Sequence, residues 1–166
     1  MRLYLIRHGH ALPHPHDANR PLSERGRITT LRVAELFRTN QAFTAQQIWH
    51  SPLTRAFETA IAFSRALDPE LALVETDGLC PGDDPFVMQA RLAIYPTTHD
   101  LAIVGHEPHL SSLATLLVRG HASPNVFHLK KNAVIMLRRT DKTHRDTGKT
   151  RWRVGWHFAP ELLPIV

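Results

Sequence analysis

The chain has 166 residues, 43% hydrophobic and 21% charged, which suits one folded domain over 1–166 and excludes a disordered chain. Lys and Arg number 20 against 15 Asp and Glu, leaving a formal charge of +5 beside 12 histidines and favouring anionic partners. The single cysteine, Cys80, excludes an internal disulfide framework and a thiolate metal cage, and it fits a reducing, cytoplasmic compartment.

Residues 2–7 open with a short apolar run that predicts a buried strand. Arg7 and His8 end it well short of a signal-peptide core or a membrane span, so no membrane partner is expected. Pro13, Pro15 and Pro21 then predict an irregular loop. Ser23 is a candidate N-cap for a helix with Ile28, Leu31, Ala34 and Phe37 on its apolar face. Gly26 weakens the first turns of that helix by roughly 1 kcal/mol relative to alanine. A strand at 47–50 follows. Pro52 suits the first position of the next helix, which Phe57, Ala60, Ile61, Ser64 and Leu67 continue at helical spacing.

Residues 71–74 are a weaker strand candidate. Asp83 or Asp84 could cap a helix running through Ile94, with Phe86, Val87, Ala90 and Ile94 inward. A second continuous apolar run, 101–104, ends at Gly105, and after Pro108 a helix shows Leu110, Leu113, Ala114 and Leu117 on one side. Residues 133–137 and 152–156 predict two strands joined by a basic, polar loop across 138–151. Trp152, Val154 and Trp156 alternate as one core-facing side of the last strand. The loop has neither a recognition-helix pattern nor stacking aromatics, so nucleic acid is not an expected partner.

Alternating buried strands and amphipathic helices predict an α/β fold. Its mostly parallel central sheet has helices on both faces, in three layers, and an antiparallel strand pair at the C-terminus. Ligands of such sheets bind beyond the carboxyl ends of the strands. Arg7-His8, the residues before the helix bearing Arg55, and Gly105-His106 all follow strand ends. Three strands therefore converge on one edge.

Arg7-His8-Gly9 alone is equally readable as a nucleophile motif or as a hydrogen-bonded loop histidine. Gly9 permits a tight turn that exposes the imidazole, and Arg7 offers a planar fork for phosphate oxygens. Ser51-Pro52-Leu53-Thr54-Arg55-Ala56-Phe57-Glu58-Thr59-Ala60 puts Arg55 in the first turn of a helix, where free N–H groups favour anions. Ile103-Val104-Gly105-His106 repeats the strand, glycine, histidine arrangement. In this order the three segments resemble the histidine phosphatase superfamily, the group of phosphoglycerate mutases and acid phosphatases, through about His106. The short chain, Asn19-Arg20-Pro21-Leu22-Ser23 with Gly26, Cys80-Pro81-Gly82-Asp83 and the Trp156-to-Pro160 ending are most similar to the SixA-type phosphohistidine phosphatases.

The resemblance implies a phosphoglycerate mutase-like fold and a phosphatase that works through a phosphohistidine on His8, without metal or cofactor. Arg7 and Arg55 would bind the nonbridging oxygens, and His106 would donate a further hydrogen bond. Arg20 is a candidate phosphate ligand, with a solvent-exposed charge as the competing reading. Esterases of the group also use an acid to protonate the leaving alkoxide. Glu75, Asp77, Asp83 and Asp84 are the candidates here. Asp77 is the first choice, although capping and surface roles compete for each. Phosphohistidine leaves as imidazole and tolerates a weak acid, so the expected substrate partner is a phosphohistidine protein in signalling or phosphotransfer. A small-molecule phosphomonoesterase and a noncatalytic phosphate-binding module are the alternatives.

His14-Pro15-His16 has no Cys or spaced acid to complete a metal site and reads as a loop rim. His106-Glu107-Pro108-His109 has its histidines three apart where the zinc-protease motif needs four. No phosphate-cradling glycine loop points to a nucleotide. Oligomeric state, pathway and the roles of His14, His16 and the basic loop stay open.

Overall fold

The structure is a computed structural model and describes residues 1–163. Leu3 to Ile6 are fully buried, because β1 (Arg2–Arg7) has covered neighbours on both faces. Leu3 and Leu5 join one core, and Tyr4 and Ile6 join the other. That alternation is the period-two signature of a strand in the middle layer.

The sheet is completed by β2 (Gln47–His50), β3 (Ala72–Glu75), β4 (Leu101–Gly105), β5 (Val134–Thr143) and β6 (Thr150–Phe158). Its order is β3-β2-β4-β1-β5-β6. The first four of these run parallel, while β5 lies antiparallel to β1 and β6 antiparallel to β5. Helices α1 (Glu24–Thr39) and α2 (Thr54–Leu67) cover one face, burying Val33, Phe37, Ala60 and Phe63. Helices α3 (Pro85–Ile94) and α4 (His109–Arg119) cover the other with Met88, Leu92, Leu110 and Leu113. The three layers and the antiparallel C-terminal pair match the expectation. Among the described residues no helix is long and apolar enough to cross a membrane.

Ser23 caps α1, its hydroxyl accepting the Gly26 N–H at 3.0 Å. Asp84 caps α3 through the Phe86 N–H at 2.9 Å. Several helix details differ from the sequence reading. Pro52 precedes α2 in a bend, and Leu53 takes the cap position. In α1, Ile28 and Leu31 are exposed, and Thr30 and Val33 face the core beside Ala34 and Phe37. In α3, Phe86, Val87, Ala90 and Ile94 point outward, and Met88, Gln89 and Leu92 point in. Both faces of α3 carry apolar residues, so periodicity alone cannot choose between them.

The hairpin also departs from simple alternation. Met136 pairs with Trp156 but Leu137 pairs with Val154, so Gly155 is an extra residue on β6. This bulge sends the two tryptophans to opposite cores, Trp152 to that of α3 and α4 and Trp156 to that of α1 and α2. Arg138, Arg139 and Lys142 lie in β5, which shortens the predicted basic loop.

Candidate active site

Backbone bonds at the strand ends fix the site. His8 N–H donates to the Gly105 carbonyl and Ser51 N–H to the Val104 carbonyl, each at 3.1 Å. His8, Ser51 and His106 therefore meet at one edge. The His8 and His106 ring centroids are 4.9 Å apart.

Gly9 is required here by crowding; its φ is not in the positive range. A Cβ at Gly9 would lie 2.8 Å from Thr30 Oγ1 and 3.1 Å from the Gly26 carbonyl. A Cβ at Gly26 would come within 2.1 Å of the His10 carbonyl. The glycine that weakens α1 thus lets that helix press against the backbone following His8. Two further residues pin this loop. Gly9 N–H donates to Thr59 Oγ1 at 3.1 Å, and Thr59 in turn donates to the Arg55 carbonyl at 2.7 Å. Asn132, with φ of 64°, sends its N–H to the Arg7 carbonyl at 3.1 Å. Asparagine tolerates that left-handed conformation better than most residues.

His8 is buried, and its Nδ1 donates to its neighbour's carbonyl, Gly9 O, at 2.7 Å. That bond fixes the neutral tautomer with the lone pair on Nε2. Burial pushes the His8 pKa down to about 3; Arg55, Arg7 and Lys131 add repulsion, and the Gly9 bond opposes them. Burial likewise takes His106 down to about 2, with His8 and Arg55 contributing. Ser51 Oγ accepts the Leu53 N–H at 3.3 Å and lies 2.9 Å from His106 Nε2. A serine proton given to Nε2 leaves the His106 proton on Nδ1, which is buried with no partner among the described residues.

The two arginines complete the cluster. Arg7 Nη1 donates to the Leu129 carbonyl at 2.6 Å, while its Nε is buried without an acceptor among the described residues. Arg55 is 5% exposed, and Asp17 takes both of its terminal nitrogens, by the backbone carbonyl at 2.8 Å and by Oδ2 at 3.0 Å. Asp17 sits in a short 3-10 turn, Asp17–Asn19, and its other oxygen accepts from Arg20 at 3.2 Å. Hydrogen bonds from Arg20 and Arg55 hold the Asp17 carboxyl below the ordinary carboxylate range.

Arg7, His8, Arg55 and His106 therefore lie together. Arg20 is tied to Asp17 and to the Leu12 carbonyl at 3.0 Å. Asp77 is exposed beyond β3, its carbonyl held by Arg91 at 2.8 Å, and it is not among the charges acting on His8 or His106. Asp17 does act on His106. His14 and His16 are exposed on the loop rim, where His14 Nδ1 meets the His16 carbonyl at 3.0 Å. No group of three or more His, Cys, Asp or Glu among the described residues is placed to hold a metal ion. Ser51, Thr59 and Asn132 were not singled out as site residues in the sequence. Ser51 and Thr59 do stand in the segment that carries Arg55.

The fold and this edge define a phosphoglycerate mutase-like α/β protein. It superposes on the protein histidine phosphatase SixA complexed with tungstate at a TM-score of 0.82 and 20% identity, over 99% of this chain and 100% of that one. A putative phosphohistidine phosphatase SixA from Agrobacterium tumefaciens gives 0.75 and 22%, over 96% and 97%. A mycobacterial glucosyl-3-phosphoglycerate phosphatase complexed with VO3 gives 0.67 and 19%, over 95% and 99%. No curated protein sequence matches the chain. Residues 3–80, which include Arg7, His8 and Arg55, match the sequence model of the histidine phosphatase superfamily (branch 1). That sequence match covers a little under half of the chain, whereas the likeness in fold covers nearly all of it.

Proposed function

We propose that the protein is a phosphatase in which His8 accepts the phosphoryl group, and that its substrate is phosphohistidine on a protein. The observation that carries the catalytic reading is a neutral, buried His8 whose Nε2 has no partner among the described residues, beside two buried nitrogens, Arg7 Nε and His106 Nδ1, that lack acceptors there. Buried polar groups without partners are rare, and an anion entering beside His8 would supply the missing acceptor. The Nε2 lone pair attacks phosphorus in line, a P–N bond forms, and the bond to the leaving group breaks. Water then attacks the phosphohistidine, releasing phosphate and restoring the His8 lone pair. Arg7, Arg55 and His106 spread the charge on the nonbridging oxygens. The reading routes no step through a metal, so turnover is expected to survive chelators.

The substrate half rests on the acid. Among the described residues Asp17 is the only carboxylate acting on the His8–His106 pair, and its two arginine partners keep it ionised. An alkoxide needs a proton as it departs; the imidazole of phosphohistidine is a far better leaving group. The likeness in fold to SixA supports the same substrate. The likeness to the glucosyl-3-phosphoglycerate phosphatase favours a second reading, a small phosphate ester, and Asp77 is the acid to test for it.

Rapid acid-free quenching is expected to trap acid-labile phosphate on the wild type and none on His8→Ala. A phosphohistidine protein and a panel of esters should then be compared at equal enzyme. A strong preference for an ester, slowed by orders of magnitude in Asp77→Asn, would replace the phosphohistidine substrate with the second reading.

A further inference from the structure

A groove of about 990 Å³ opens beside the site, and Arg7 is in its wall. Its walls hold five cationic side chains, Arg7, Arg25, Arg32, Lys130 and Lys131, against two carboxylates, Glu24 and Glu161. Glu161 is already engaged with Lys130 at 2.7 Å. Neither Arg25 nor Lys131 has an acidic partner among the described residues. Burial and the neighbouring Arg7, Arg20 and Arg25 all press the Lys131 pKa down, so positive charge is concentrated around Lys131. Lys131 also acts on His8, which makes groove and site one electrostatic unit.

The shape decides what the groove takes. Arg25, Ile28, Thr29 and Arg32 line it from α1, and the seven helical steps from Arg25 to Arg32 extend it by roughly 10 Å. A small phosphate ester would place its second charge at one point; these cations are spread along a wall. Ile28, 52% exposed, adds an apolar anchor between them. Separated cations around an apolar contact fit carboxylates displayed along a protein surface.

We propose that this groove docks an acidic face of the phosphorylated protein, next to its phosphohistidine, and so selects the substrate. The proposal rests on the reading of His8 as the phosphoryl acceptor. It names the partner chemistry that this reading leaves open.

The test separates docking from catalysis. Two labelled peptides carry a non-hydrolysable phosphohistidine mimic, one flanked by Asp and Glu, the other by Asn and Gln. Fluorescence anisotropy is expected to show the acidic peptide binding about tenfold tighter at low salt, with the gap closing as salt rises. Arg25→Glu and Lys131→Glu should each cut the advantage of acidic flanks to about twofold or less. Equal binding of the two peptides, or an advantage that survives both reversals, overturns the proposal. So does tighter binding of a single-stranded oligonucleotide of matched charge, which would make the groove a nucleic-acid site. Failure of the wild type to form a phosphoenzyme from a small phosphoramidate would sink the catalytic reading instead, whatever the peptides do.

Discussion

The two arginines beside His8 are held in opposite ways. Arg7 ends a central strand, rests one nitrogen on the Leu129 carbonyl and keeps Nε without a partner. Arg55 is more deeply buried, yet its terminal nitrogens are occupied by Asp17 from an exposed turn. A guanidinium held by a backbone carbonyl stays in place whatever binds. One held by a carbonyl and a carboxylate of the same exposed residue, as Arg55 is by Asp17, has both terminal nitrogens satisfied until a stronger anion shares or displaces the carboxylate. A phosphoryl group carries more charge and more acceptor oxygens than Asp17 offers. On the proposed mechanism Arg7 is the fixed donor, and Arg55 is the donor whose availability Asp17 controls.

Removing each arginine should separate these roles. Arg55→Ala deletes a two-pronged donor and leaves Asp17 with Arg20 alone, so kcat for phosphohistidine should fall by about 10³-fold. Arg7→Ala should cost nearer 10²-fold, since its Nη1 bond to Leu129 shows that only part of the guanidinium is free. Lysine should restore part of the activity at position 7 and little at 55, where a point charge cannot replace a fork. Equal losses with equal lysine rescue, measured by steady-state kinetics, would break the distinction.

Asp17→Asn sharpens it further, with a smaller effect of known sign. Loss of the competing carboxylate charge should tighten inhibition by inorganic phosphate several-fold, with the circular dichroism spectrum unchanged. Weaker inhibition would instead make Asp17 the strut that orients Arg55. Ser51→Ala tests the other wall of the site. It leaves His106 Nε2 without its hydroxyl and should lower kcat by about tenfold or less, while the melting temperature changes little.

The sequence made the site more legible than the helix faces. Three strands ending at a common edge follow from short apolar runs, and the residues after them could be named before any contact was known. The partners of those residues were hidden for reasons of geometry. Asp17 lies in a proline-rich loop without periodicity, 38 positions from the arginine it grips. Asn132 depends on a positive φ that no local pattern announces. Gly9 could be seen, but its reason could not, because the crowding comes from Thr30, Gly26 and Asn132 on other elements. On α3 the apolar residues surround the helix, and on β6 one inserted glycine reverses the alternation.

The smallest expected effect concerns a histidine outside the proposed chemistry. His109 opens α4, is 1% exposed and has no partner for either ring nitrogen among the described residues. Burial lowers its pKa, with Asp83 and Asp84 acting in the opposite direction. Like His8 and His106, it favours the neutral form in the folded protein, whereas an unfolded histidine titrates near 6.5. Below that pH the unfolded chain binds protons that the folded chain refuses, so stability is greatest above about 6.5 and declines as the pH falls. The decline continues until the folded groups protonate, about 3 for His8 and about 2 for His106. Each such histidine adds at most ~1.4 kcal/mol per pH unit to the slope. His109→Phe should therefore remove about one proton's share of the loss between pH 7 and pH 5, measured by urea unfolding, while phosphoenzyme formation persists. An unchanged slope would mean that His109 takes up its proton in the folded state, which requires a partner for its ring that burial alone does not supply.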